Sequence, residues 1–139
     1  MGRVRECHGD LHLGNIAVVE GRVAIFDCID FDARMRWNDL MGEVAFLAMD
    51  LEYRGRADLA DRFVNRYMEA TGDYAGAAVL RFFVVYRAMV RAKVAALRVA
   101  QMPEGAERAW LATECREYVA LARAWAAPAR CPPHRPSTT

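Results

Sequence analysis

The sequence has almost no lysine: Lys93 is the only one, and arginine carries the rest of the positive charge. Lys and Arg together number 19 against 18 Asp and Glu, a formal net charge of +1. That balance gives no strongly basic surface, so neither nucleic acid nor a membrane surface is an expected partner. Cysteine is also sparse. The four, at positions 7, 28, 115 and 131, form no CxxC pair and no disulfide-scaffold spacing. There is no signal-peptide pattern at the start, so free thiols in the cytoplasm are the expectation. No apolar run approaches the roughly 20 residues of a membrane span. The stretch Phe82-Phe83-Val84-Val85-Tyr86 is bracketed by Arg81 and Arg87 and reads as buried helix. Neither GxGxxG nor GxxxxGK occurs, and there is no internal repeat.

What is present suits one folded domain. The chain has 139 residues, 55% of them apolar and 27% charged, enough to bury a core. The first third reads as strands: Val4–Cys7, then Asn15–Val19 and Arg22–Asp27 around the turn pair Glu20-Gly21. From Asn38 the apolar period changes from two to 3.6. One helix is expected to about Tyr53, with Asp39 and Glu43 at its electropositive start. A second covers Ala57 to Thr71, stopped by Gly72. Asp73 caps a long third from Tyr74 to about Ala100, with Leu80, Phe83, Val84, Val90, Val94 and Leu97 on its apolar stripe. Pro103 opens a fourth to Ala126. Trp37, Trp110 and Trp125 read as packing residues and the cysteines as buried bystanders, Cys115 above all. Residues 127–139, with Pro128, Pro132, Pro133 and Pro136, read as a disordered tail.

The chemistry concentrates in Cys7-His8-Gly9-Asp10-Leu11-His12-Leu13-Gly14-Asn15-Ile16, followed by Ile25-Phe26-Asp27. It supplies a carboxylate, an amide five residues on, and a second carboxylate twelve residues after that. The hairpin folds the last strand back beside the loop, so Asp10, Asn15 and Asp27 can converge. Phosphoryl transfer needs such a set: one carboxylate to take the acceptor's proton, and hard oxygen ligands to hold Mg²⁺ on the phosphates. A zinc site from His8, His12 and Cys7 or Cys28 is the other chemistry these residue types allow. HxxxH ligation needs a helix, and Gly9 and Gly14 argue against one here. The plain structural account is three turn or cap residues beside strands.

His8-Gly9-Asp10-Leu11-His12-x-x-Asn15 resembles the HGDxHxxN loop of aminoglycoside phosphotransferases, choline kinases and related protein kinase-like enzymes. Phe26-Asp27-Cys28 is similar to their metal-binding Asp segment, and Asp39-Leu40 to the Asp that opens the next helix. The resemblance implies an α+β, mainly α fold: the C-terminal lobe of a protein kinase-like enzyme, with a short hairpin at the catalytic loop and about four helices, over residues 1–126. It implies Asp10 as catalytic base and Asn15 and Asp27 as Mg²⁺ ligands. His8, His12 and Asp39 would support the loop, Asp39 by bonding to its backbone. Asp30 lies near enough to Asp27 to compete for the metal. Asp30, Asp32, Arg87 and Arg91 are candidate substrate contacts. Arg87, Arg91 and Arg98 share one helix face, which reads either as a solvated stripe or as an anion-binding strip.

The implied function is ATP-dependent transfer of the γ-phosphate to a hydroxyl of a small molecule, with Mg²⁺ and ATP as cofactors. The N-terminal lobe of such kinases, with its glycine-rich loop and strand lysine, has no counterpart here, and Lys93 lies within a helical pattern. The chain therefore reads as a fragment or split-gene product. The alternative is an inactive helical binding module, or a split-kinase subunit whose missing lobe comes from another chain. The whole also resembles the bacterial subgroup with a downstream P-loop ATPase domain.

Overall fold

The computed structural model describes residues 3–127. The expectation of a disordered tail therefore lies, except for Ala127, outside the described residues. The described residues form two small two-stranded sheets and four helices in a mainly helical α+β arrangement. Strand β1 (Val4–Glu6) is followed by the loop of residues 7–12 and a 3₁₀ turn at Leu13–Asn15. Strands β2 (Ile16–Val19) and β3 (Arg22–Ile25) then make the expected antiparallel hairpin, pairing Ile16 with Ile25 and Val19 with Arg22. Glu20 and Gly21 both take positive φ, 51° and 75°. That is the turn geometry whose twist matches two adjoining strands.

Trp37–Asp39 form strand β4, antiparallel to β1, where sequence periodicity had suggested that a helix was already beginning. A three-residue strand carries too little alternation to be read locally; its pairing with residues more than thirty positions earlier creates it. Helix α1 (Leu40–Tyr53) starts one residue later, with the Asp39 carboxylate accepting from Met41 N–H at 2.8 Å. Helix α2 (Ala57–Thr71) ends as expected on Gly72, at φ 70°. A 3₁₀ turn at Tyr74–Gly76, capped by Asp73, replaces the first turn expected of the third helix, and α3 runs over Ala77–Gln101. Helix α4 covers Ala106–Ala126, beginning three residues beyond Pro103.

Helix α1 is the axis of the core. Met41, Ala45, Phe46 and Met49 are almost fully buried, with α2 against one side and α3 and α4 against the other. The buried line of α3 is Val84, Ala88, Ala92 and Ala95; of the expected stripe, Val84 is buried and Leu80 and Phe83 pack partly buried on the core. Small side chains let α3 approach α1 and α4 closely, and Val94 and Leu97 remain exposed as a result. Phe82 and Tyr86 likewise face outward, stacked on each other. Of the tryptophans, Trp125 packs on the core and donates to Glu52 Oε2 at 2.6 Å, while Trp37 and Trp110 are exposed. Cys115 packs against the core, but Cys28 is exposed. No helix among the described residues is long and apolar enough to cross a membrane.

The α1–α4 contact contains a pH-sensitive pair. Tyr53 stacks on Tyr118 with centroids 4.1 Å apart, and its hydroxyl donates to Glu117 Oε2 at 2.9 Å. Burial first, and then the Glu117 carboxylate, push the Tyr53 hydroxyl well above the usual tyrosine range. A folded-state value raised above the unfolded one gives stability that is complete below about pH 10 and is lost as pH rises toward the folded value. The melting temperature should fall above that pH, and Tyr53→Phe should flatten the fall. Thermal melts across the alkaline range check this; an unchanged slope in the variant would count against it.

Candidate active site

The loop of residues 7–15 enters from β1 and leaves into β2, and its backbone is held from several directions. Gly9 takes φ +87°, a left-handed conformation that suits glycine. A Cβ there would lie 2.8 Å from Ile29 Cδ1 and 3.3 Å from the Met35 carbonyl oxygen, so both conformation and space require glycine. Gly9 N–H donates to Glu43 Oε2 at 3.0 Å, and Leu13 N–H donates to Asp50 Oδ2 at 2.8 Å. Both acids are buried on α1, seven residues apart and so on one face of the helix. Arg87 reaches across from α3 to Glu43 Oε1 at 3.3 Å and to the Gly42 carbonyl at 3.3 Å, with its guanidinium 4.6 Å from the Phe46 ring centroid.

The loop's own side chains form a connected set. His8 Nδ1 accepts from Asp10 N–H at 3.3 Å, so its Nε2 carries the proton and donates to the Phe26 carbonyl at 2.7 Å. His12 Nδ1 accepts from Gly14 N–H at 3.0 Å, and its Nε2 donates to Asp10 Oδ2 at 3.2 Å. Asn15 is buried, and its Nδ2 donates to the Asp10 carbonyl at 3.0 Å and to Asp10 Oδ2 at 3.2 Å. Both bonds to the Asp10 carboxylate fall on Oδ2, leaving Oδ1 as its open acceptor on a side chain 40% exposed. Gly14 matters to this set. A Cβ at that position would sit 2.7 Å from His12 Cε1 and displace the ring from Asp10.

Asp27 is exposed and joins the group through the backbone. Phe26 N–H donates to the Asn15 carbonyl at 3.0 Å, extending the hairpin by one bond, and Asp27 follows at φ 59°. A left-handed aspartate is uncommon but tolerated, because the short carboxylate can bond locally. The hairpin thus carries Asp27 back to the loop's end.

The other sequence candidates lie in different roles. Asp39 does not bond to the loop backbone: it caps α1 and pairs with Arg3 Nε at 3.2 Å, tying β1 to the helix. Burial inside α1 lets Glu43 and Asp50 reach the loop instead. Asp32 caps the 3₁₀ turn at Ala33–Arg36 and pairs with Arg34 at 3.0 Å, which holds its carboxyl below the usual range. Asp30 is exposed. Arg87 and Arg91 are both engaged within the fold. Arg87 clamps the loop, and Arg91 lies over the Tyr118 ring and contacts its hydroxyl at 3.4 Å. Burial works against the Arg91 charge, but Tyr118 raises its pKa overall. Cys7 directs its thiol at the Asn38 carbonyl, and burial, then Glu43, raises its pKa. All four ring nitrogens of His8 and His12 are engaged within the loop and hairpin.

Sequence reading missed Glu43 and Asp50 as loop anchors, having placed Glu43 as a helix-start charge. The available signal was two acids spaced 3.6-periodically with Phe46 inside the most apolar helix of the chain.

Curated relatives include uncharacterized proteins of Mycobacterium tuberculosis and Mycobacterium bovis, each 44% identical over 111 residues. The match covers 76% of this chain and 22% of each relative, so the chain spans about a fifth of the length of the curated relatives it matches. No solved structure matches the chain significantly. The family model of the phosphotransferase enzymes matches residues 2–83, which takes in the loop, the hairpin, α1 and α2. On that match, over more than half of its length, the chain belongs to the phosphotransferase enzyme family.

Proposed function

We propose that this lobe transfers the γ-phosphate of ATP to a hydroxyl group of a small molecule, with Asp10 as the base. The observation that carries the reading is the state of the Asp10 carboxylate. His12 and Asn15 fix Oδ2, while Oδ1 is left to accept a proton. A base must be held in one orientation and keep one acceptor open, and this arrangement does both. Because the loop is anchored to α1 and α3, its geometry does not depend on an exposed surface segment.

The residues present fit Mg²⁺. Asn15 Nδ2 is engaged with Asp10, so the amide oxygen is its remaining ligand atom. Asp27, the residue after Phe26 whose N–H pairs with the Asn15 carbonyl, would add an exposed carboxylate. These are the hard oxygen donors that magnesium takes, with water completing its shell. Bound there, the ion would neutralise charge on the phosphates. Titrating Mg·ATP into the chain and into Asp27→Ala tests the assignment. Binding should be measurable in the parent and at least tenfold weaker in the variant. Equal, negligible heats in both would support the inert helical module.

One observation favours a further lobe that covers the hairpin. Val18 and Val23 are paired across the hairpin and are 73% and 71% exposed, and Ile25 and Phe26 are about half exposed. A two-stranded ribbon is marginal on its own. Other polypeptide, in a longer protein or a second chain, would cover this face and bring the glycine-rich loop and lysine to Asp10. The length of the relatives beyond the matched segment suits the first form.

A further inference from the structure

We propose that the groove between α1 and α2 docks an amphipathic helix of a partner polypeptide, one whose apolar stripe is flanked by carboxylates. The two helices are joined by residues 54–56 and packed on each other. Between them runs an open trough of about 360 Å³, and none of its lining residues comes from the hairpin. Helix α1 gives Leu47 and Leu51 to the trough, and α2 gives Leu59 and Phe63. Each pair is spaced by four residues, so each forms a ridge along its helix. Two such ridges leave a channel into which the ridge of a third helix packs. Leu47, Leu59 and Phe63 are only partly buried, so their outer surfaces are free to make that contact. A small ligand would need enclosure on most sides, which an open trough does not give it.

The rim decides the sign of the partner's charge. Arg62 and Arg66, one turn apart on α2, line the groove, and no acidic residue does. Arg66 shares Nη1 with Glu69 at 3.0 Å, on a side chain that is 78% exposed. The ion pair at the start of α2, Arg56 with Asp58, does not involve Arg62. Asp61 is exposed and is not part of the lining. Asp50, on α1, is buried and occupied by Leu13 N–H and Arg54. An apolar channel with two arginines along it complements a helix bearing leucine-type anchors at i, i+3, i+4 and i+7 with Glu or Asp beside them. The same two arginines repel a basic helix.

The lining also includes Leu13, which opens the 3₁₀ turn ending at Asn15. A docked helix would therefore rest against the turn whose flanking residues, His12 and Asn15, hold the Asp10 carboxylate.

The test is an NMR titration of the isotope-labelled chain with a synthetic helical peptide of about 15 residues, with leucine at the four anchor positions and glutamate beside them. A second peptide has lysine for every glutamate, and a third is a scrambled form of the first. The acidic peptide should shift the amides of Leu13, Leu47, Leu59 and Phe63 saturably, and should bind roughly tenfold more tightly than either control. Arg62→Glu with Arg66→Glu, both at exposed positions, should leave the fold intact and reverse the order, so that the lysine peptide binds better. Leu59→Gln should weaken both. Equal binding of the three peptides, an order that the double variant fails to reverse, or shifts confined to other residues would overturn the inference. Dodecanoate binding at these amides more tightly than the acidic peptide would assign the groove to an acyl chain. A concentration-dependent dimer in sedimentation that broadens the same amides would assign it to a second copy of the chain. Either result overturns the docked helix.

Discussion

Asp10→Asn should lower the rate of phosphate transfer by about 10²–10⁴-fold, the usual contribution of a positioned general base. The substitution keeps the shape of the side chain and removes its capacity to accept a proton. Loss of function should therefore come without loss of fold. The Asp10 side chain is 40% exposed and its partners are the neighbouring His12 and Asn15, so few core contacts depend on it. ATP-dependent phosphorylation of an alcohol by the lobe together with its nucleotide-holding partner region is the measurement, with a thermal melt of the same sample beside it. The signature is a fall in kcat with little change in the KM for ATP. A variant that keeps more than a tenth of the parent rate would remove Asp10 from the role of base.

Arg87→Met should be the most destabilising of the substitutions considered. It leaves the Glu43 carboxylate buried beneath Gly9 with no cation beside it, and opening a buried pair in this way costs about 3–5 kcal/mol. For a domain of this size that corresponds to a fall in melting temperature of roughly 10 °C or more. The double variant Glu43→Gln with Arg87→Met should recover part of the loss, because the uncompensated charge is gone while the amide can still accept from Gly9 N–H. Thermal or urea unfolding of the two single variants and the double one gives the coupling directly. Additive losses would mean that the two residues act independently and that Arg87 does not clamp the loop through Glu43. Because Gly9 precedes Asp10, the single variants should also lower transfer, whereas a purely structural pair far from the site would leave the surviving folded fraction fully active.

The part of this site that was legible in the sequence is the part made by neighbours in the chain. His8, Asp10, His12 and Asn15 lie within eight residues, and their bonds to one another run over two to five positions. The hairpin that returns Asp27 follows from Glu20-Gly21 and two apolar runs, again local information. Helix ends were legible where a single residue determines them, as at Gly72, and were displaced by a turn where capping geometry does, as at Asp73. Contacts made across the fold were not legible. Glu43 and Asp50 looked like ordinary helix acids, and Arg87 like one member of an exposed stripe, because nothing local distinguishes a charge facing water from one facing a loop backbone.

The sequence by itself determined the loop chemistry, the hairpin and the order of helices, since hydrogen bonds over short separations and the period of apolar residues act within a few residues. Only the tertiary structure decided which charges are internal. That depends on α1 being enclosed by its neighbours: once water is excluded there, a carboxylate must find an N–H group or a guanidinium, and the loop backbone and Arg87 are what it finds. Asp39, at the start of that helix and outside the enclosed stretch, caps it instead of bonding to the loop.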